Sequence, residues 1–136
     1  MGRVSGRSCI VTGAAQGIGR AIAEALLEEG AHVCFADINR DKIAEVADAN
    51  RKTYGNDRVT HAQVDVTDRT AVGAMIDHTV ARFGKLDVKF NNAGVNRPMN
   101  FMDVTEDNWN FIMGVNGLGC MIGMQEAARQ MIAQGT

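Results

Sequence analysis

Residues 11–20 read VTGAAQGIGR and set Gly13, Gly17 and Gly19 between an apolar run and an amphipathic one. Glycines at such a junction suit an anion cradle. Gly13 stands where a strand must turn sharply, a place that a residue without a Cβ occupies at least cost. Gly17 lets the backbone approach a pyrophosphate, and Gly19 lets helix and strand pack closely. A helix beginning near Gly17 aims its free N–H groups and the positive end of its dipole at the same point. The spacing is GxxxGxG rather than the stricter GxGxxG. A tight strand-to-helix turn without a ligand is the competing reading.

Asp37 is the next candidate, closing a second apolar run, HVCFAD. A carboxylate at that place accepts hydrogen bonds from an adenosine ribose. Its simpler role is a turn or helix cap. It also repels a 2′-phosphate, and Gln16 adds no positive charge within the loop. Together these residues favour NAD over NADP. Arg40, close by in sequence, blurs that preference without reversing it.

Composition narrows the remaining classes. Lys and Arg number 14 against 16 acidic residues, a formal charge of -2 with no basic run. Neither nucleic acid nor an anionic membrane is therefore an expected partner. The 136 residues suit one domain with a substantial core. Cys9, Cys34 and Cys120 have no metal-ligand or CxxC spacing, and as reduced thiols they point to a cytoplasmic setting. Cys9 and Cys34 fall in predicted strands, as small buried apolar residues. No apolar leader precedes a cleavage site. VNGLGCMIGM (115–124) is about half the length of a membrane span and contains Asn116, so no membrane helix is expected.

The elements that must position these residues follow from apolar periodicity. SCIVTG (8–13) is a strand, and Ile18, Ala21, Ile22, Ala25 and Leu26 trace a helix that Gly30 stops. HVCFAD (32–37) is a second strand; Ile43, Val46 and Ala47 mark a second helix that fades into YGND. VTHAQVD (59–65) is a third strand. Asp68 caps a third helix whose stripe is Val72, Met75, Ile76, Thr79, Val80 and Phe83, ended by Gly84. LDVKFNN (86–92) is a fourth strand, and RPMNF is a loop holding the only proline. From Thr105 to about Ala133 the chain is helical, interrupted by Gly114, Gly117, Gly119 and Gly123. Strands separated by helices require right-handed parallel crossovers, and hence an α/β, doubly wound sheet. Lys89 is awkward in a strand covered on both faces. Either its stem runs along apolar surface to reach water, or the strand ends before it.

These motifs resemble the classical short-chain dehydrogenase/reductase family across nearly all of the chain. TGAAQGIG (12–19) looks like its TGxxxGxG cofactor loop, and NNAG (91–94) like its second signature. DV (65–66) is similar to its adenine-contacting pair, and VN (115–116) sits where the family carries a catalytic asparagine. The resemblance implies an NAD site of Gly13, Gln16, Gly17, Ile18, Gly19, Asp37, Ile38, Asp65, Val66, Asn92, Ala93 and Gly94. Asp65 would accept from the adenine amino group, and Val66 would donate its backbone N–H to the ring. Thr12 and Asn92 would hold the loop and central strand, while Asn92, Ala93 and Gly94 line the ribose side. Asn116, the implied catalytic residue, would bend the long helix and help to hold a water in a proton relay. An exposed helical asparagine is its plainer role. Gly117 departs from the leucine common after that asparagine.

In the family a tyrosine exchanges the alcohol proton, a lysine four residues on lowers its pKa, and a serine polarises the oxygen. The one tyrosine here is Tyr54, with Arg58 in the lysine place, and the serines are Ser5 and Ser8. None suits the role. The resemblance thus implies the N-terminal part of a single Rossmann domain, truncated after its fourth strand and following long helix. The implied enzyme moves a hydride between nicotinamide and a secondary alcohol or ketone, and is a homo-oligomer when full length. FADIN and NNAGV look most like small-polyol, sugar-alcohol or acyloin dehydrogenases. Only Asn96, Arg97, Pro98 and Met99 stand where a substrate could be met, unless they are an ordinary surface loop. The alternative is a truncated dinucleotide-binding module without catalytic activity; a remoter one is a fold for an S-adenosyl compound.

Overall fold

The computed structural model describes residues 2–136. Four strands form one parallel sheet: β1 (Ser8–Thr12), β2 (His32–Asp37), β3 (Val59–Gln63) and β4 (Val88–Phe90), in the order β3-β2-β1-β4. α1 (Gly17–Glu28) and α2 (Arg40–Tyr54) cover one face, α3 (Arg69–Phe83) and α5 (Cys120–Gln134) the other. Side chains alternate between them with the period of a strand. Cys9, Val11, Val33, Phe35 and Val59 enter the α1–α2 core, whereas Ile10, Cys34 and Ala36 enter the α3–α5 core. Burial on both faces explains why these strands read as continuous apolar runs. The doubly wound α/β expectation holds.

The caps of α3 are those the sequence announces. Asp68 accepts from the Ala71 N–H at 3.2 Å to start α3, and Gly84 ends it at φ 85°. Asn39 accepts from Lys42 N–H to start α2, and Gly55 ends it at φ 98°. β1 stops one residue early, at Thr12, and two further strands are shorter than expected because their ends have other duties. Beyond Gln63 the chain makes one more bond, Val64 N–H to Asp37 C=O at 2.9 Å, then turns through Asp65. Beyond Phe90 the Asn92 N–H goes to Thr12 Oγ1 at 3.1 Å instead of continuing the ladder.

The expected stripe on α1 is out of phase. Gly19, Ala23 and Leu27 are the buried residues, Ile22 and Leu26 flank them, and Ala21 and Ala25 are exposed. Ile18 is 75% exposed, because the first turn of α1 ends at an open cleft rather than on the sheet. Apolar content placed the stripe on Ile18; backbone proximity gave the core position to Gly19.

Lys89 does lie in β4, opposite Ile10, so the strand is not cut short there. Its ammonium does not seek water. It donates to Asn91 Oδ1 beneath α5, where Gly123 leaves room: a Cβ there would meet Asn91 Oδ1 and come within 2.6 Å of Lys89 Nζ. The long helical stretch starts at Thr105, whose hydroxyl accepts from the Asn108 N–H at 3.1 Å. α4 (Glu106–Met113) passes through a π-helical turn, Gly114–Gly119, into α5, so the glycines widen the helix without ending it. A 3-10 turn, Phe101–Asp103, precedes α4. No helix among the described residues is long and apolar enough to cross a membrane.

Candidate functional site

The sheet changes winding direction at β1, which leads to β2 on one side and pairs with β4 on the other. The crevice beyond the carboxyl ends of such strands is where open α/β sheets take ligands. A cleft of about 520 Å³ opens there. Thr12 ties its floor together: Oγ1 donates to Phe90 C=O at 3.3 Å and accepts from the Asn92 and Ala93 N–H groups, each at 3.1 Å. Asn92 Nδ2 returns a bond to Thr12 C=O at 3.1 Å.

The glycines divide their labour. Gly13 turns at φ 67°, and a Cβ on it would stand 3.0 Å from Ala93 Cα. Gly19 packs so closely that a Cβ would collide with Gly13 C=O and sit 2.5 Å from Asn92 Nδ2. Gly17, at φ 58°, has nothing within 4 Å of its Cβ position; its missing side chain leaves open cleft. Gln16 is the N-cap of α1 but makes no side-chain cap bond, and the first turn holds no acid. Its first amide groups therefore lack an acceptor, and Gly17, Ile18 and Gly19 line the cleft. Orphan donors at a helix N-terminus are an anion site.

Asp37 does cap its turn, as its simpler reading had it. Oδ2 accepts from the Ala15 N–H at 3.1 Å and Oδ1 from the Asn39 N–H at 2.9 Å. Each oxygen keeps a free lone pair, since a carboxylate has about four acceptor sites. Asp65 is held likewise: Oδ1 accepts from Thr67 N–H at 2.9 Å and Thr67 Oγ1 at 2.7 Å, and Oδ2 is left open. Ile38 and Val66 stand beside these two carboxylates, and among the described residues no Lys, Arg or His lines the cleft.

Every residue assigned above to the cofactor lies on this one surface, including Gln16, Ala93 and Gly94. Val64, Val95, Phe111 and Val115 also line it and were missed. Val95 follows NNAG directly; Phe111 and Val115 lie four apart on the helix before Asn116, a spacing that puts both on one face. Asn116 itself is not in the lining. Its Oδ1 accepts from Val95 N–H at 2.8 Å and its Nδ2 donates to Val95 C=O at 2.9 Å, clasping the loop after β4 to the π-helical turn. Arg97 stacks on Phe111, with 4.0 Å from guanidinium to ring centroid, while Asn96, Pro98 and Met99 are exposed nearby in the loop.

The remaining reactive groups stand elsewhere. Tyr54 ends α2 beneath the Arg58 guanidinium, and neither Ser5 nor Ser8 reaches the cleft. Burial pushes the Cys9 and Cys34 thiols up to about 11, so both stay protonated and inert. Among the described residues no group of three or more His, Cys, Asp or Glu could hold a metal ion.

A parallel sheet with helices on both faces and an amide-lined cleft at the β1–β4 switch point defines a dinucleotide-type Rossmann fold. The short chain dehydrogenase family model matches residues 7–136, and the chain belongs to that family. It is 38% identical over 131 residues to momilactone A synthase of Oryza sativa subsp. japonica, covering 95% of this chain and 46% of that protein. It is 35% identical over 133 residues to sorbitol dehydrogenase of Cereibacter sphaeroides, covering 98% and 50%. A short chain dehydrogenase/reductase from Burkholderia phymatum, solved in complex with NAD, superimposes with a TM-score of 0.92 at 30% identity, covering 100% of this chain and 48% of that one. The chain spans about half the length of the curated relatives it matches.

Proposed function

We propose that this chain is the N-terminal, cofactor-binding part of a single Rossmann domain in an NAD-dependent oxidoreductase that interconverts a secondary alcohol and a ketone. The observation that carries the reading is the uncapped start of α1 over the empty Cβ position of Gly17. A pyrophosphate there would meet amide donors that have no other acceptor. The free lone pairs of Asp37 fit ribose hydroxyls, and Asp65 Oδ2 with the Val66 backbone fits an adenine edge. Bound at this site, the nicotinamide supplies hydride acceptance and donation. The chain's own residues bind and orient it, and the Asn116 clasp holds Val95 against the opposite end of the cleft.

NAD is preferred over NADP in this reading, because a 2′-phosphate would meet the Asp37 carboxylate and no cation of the lining. The likeness to sorbitol dehydrogenase favours a small polyol, sugar alcohol or related ketone as substrate. The proton-exchanging tyrosine, lysine and serine belong to the part of the protein beyond these residues, and the full-length protein is a cytoplasmic homo-oligomer. Equilibrium titration of the full-length protein with NAD and NADP, followed by NADH formation from sorbitol and simple secondary alcohols, tests the proposal. Tight NAD binding with alcohol-dependent NADH is the expected result; NAD binding without turnover would favour the non-catalytic module, and no NAD binding would refute both.

A further inference from the structure

Arg97 lies in the loop after β4, and its partner Phe111 is part of the cleft wall beside Val95 and Val115. The ring therefore has two tasks: it closes one end of the cleft and carries a cation at its rim. A guanidinium stacked on an aromatic face is fixed in its plane, while its N–H donors point outward around the edge. No carbonyl, carboxylate or amide among the described residues accepts from those donors. Between them Val95, Phe111 and Val115 offer a ligand only apolar side chains. The carboxylates of the cleft, Asp37 and Asp65, flank the ends of β2 and β3 instead. A preoriented, unpartnered donor fork beside an apolar wall is built to meet acceptor oxygens.

We propose that Arg97 is a specificity-determining residue. Held by Phe111, it donates to oxygens of the substrate remote from the reacting carbon, and so selects oxygen-rich substrates over plain aliphatic alcohols. Those oxygens are hydroxyls of a polyol or a carboxylate, which share the same acceptor chemistry. The inference rests on the reading that the cleft takes a nicotinamide dinucleotide with its reactive end toward Val95 and Phe111.

The test compares sorbitol, gluconate and 2-hexanol as substrates of the full-length protein and of Arg97→Met and Arg97→Lys. Arg97→Met is expected to raise KM for the oxygen-rich substrates by about tenfold or more at similar kcat. The kcat/KM for 2-hexanol and the NAD affinity should stay within about twofold. Arg97→Lys keeps a cation on the ring without the fork and should recover part of the loss. An effect on gluconate alone assigns a carboxylate, and an effect on both assigns hydroxyls. Equal losses on all three substrates would make Arg97 a mere support of its loop and overturn the proposal, as would no change. Failure of every alcohol to yield NADH would sink the dehydrogenase reading separately. Calorimetric titration of the NAD-loaded protein with sorbitol and gluconate then decides on Arg97: binding that Arg97→Met weakens supports it, and binding unchanged or absent in both forms overturns it.

Discussion

Asp37 serves the fold and the proposed ligand with the same two oxygens. Its bonds to the Ala15 and Asn39 amides fix the carboxylate at the end of β2, so no reorganisation is needed when a ribose arrives. Asp37→Ala in the full-length protein should weaken NAD by about 1.5–3 kcal/mol, the worth of a charge-assisted pair, and weaken NADP far less. Fluorescence titration with both cofactors checks this; equal dissociation constants in the parent would contradict it. The glycines make a paired prediction. Gly19→Ala drives a methyl into Gly13 C=O and should destabilise the fold by about 1–3 kcal/mol in urea. Gly17→Ala meets no atom and carries only the strain of φ 58°, about 1 kcal/mol, yet should lose cofactor affinity because its methyl fills the cradle. A Gly17→Ala protein that binds NAD as the parent does would leave the loop a simple turn.

At the scale of elements, the β4–α5 seam has a buried charge at its centre. Burial pushes the Lys89 ammonium down to about 8 from 10.5, against a smaller pull from Cys120. The unfolded chain therefore binds more protons than the folded one between those values. Stability should rise with pH from about 8 to 10.5, with the full penalty below about 8. Lys89→Met should raise stability at pH 7 by about 1–2 kcal/mol, since Asn91 loses its donor but the charge is gone. It should also flatten the rise, as thermal melts across the alkaline range would register. At the next turn of chain the Asn116–Val95 clasp joins helix to loop. If the proposed oxidoreductase reading holds, Asn116→Ala in the full-length protein lowers kcat by about tenfold or more through misplacement of the cleft wall, with NAD affinity near the parent value. A loss confined to NAD affinity would place Asn116 with the cofactor set instead.

Across the whole molecule, one carboxylate links the chain's beginning to the start of β4. Asp87 accepts from Ser8 N–H at 2.9 Å and pairs with Lys85 at 3.0 Å and Arg7 at 3.4 Å. Burial alone would raise its pKa, but the Ser8 amide and the two cations outweigh that and hold it below 3.8. A depressed carboxylate stabilises the fold above its unfolded pKa and ceases to as pH falls through the folded one. Asp87→Asn should therefore cost about 1–3 kcal/mol at neutral pH, with the difference from the parent fading in acid unfolding as pH falls below the ordinary carboxylate range.

What could be read from the residues alone was whatever rests on local pattern. The Asp68 and Gly84 caps, the alternation of apolar runs and helices, and the order GxxxGxG, Asp37, DV, NNAG, VN were all there to be read. From them came the parallel sheet, the family and a set of cleft residues that fold onto one surface. Local pattern failed where a distant partner sets the outcome. Ile18 has the apolar character of a core residue, but Gly13 and Asn92 lie so close to α1 that Gly19 takes the buried place. Lys89 reads as a misfit until Asn91 and the space above Gly123 are placed beside it. Phe111 and Val115 read as ordinary helix residues, and only the clasp of the loop after β4 to the π-helical turn makes them a wall and gives Arg97 its platform. Periodicity and caps are set by neighbours within a few residues, so a sequence determines them directly. Which apolar face is covered, and by what, depends on segments far apart in the chain, and only the packed structure decides it.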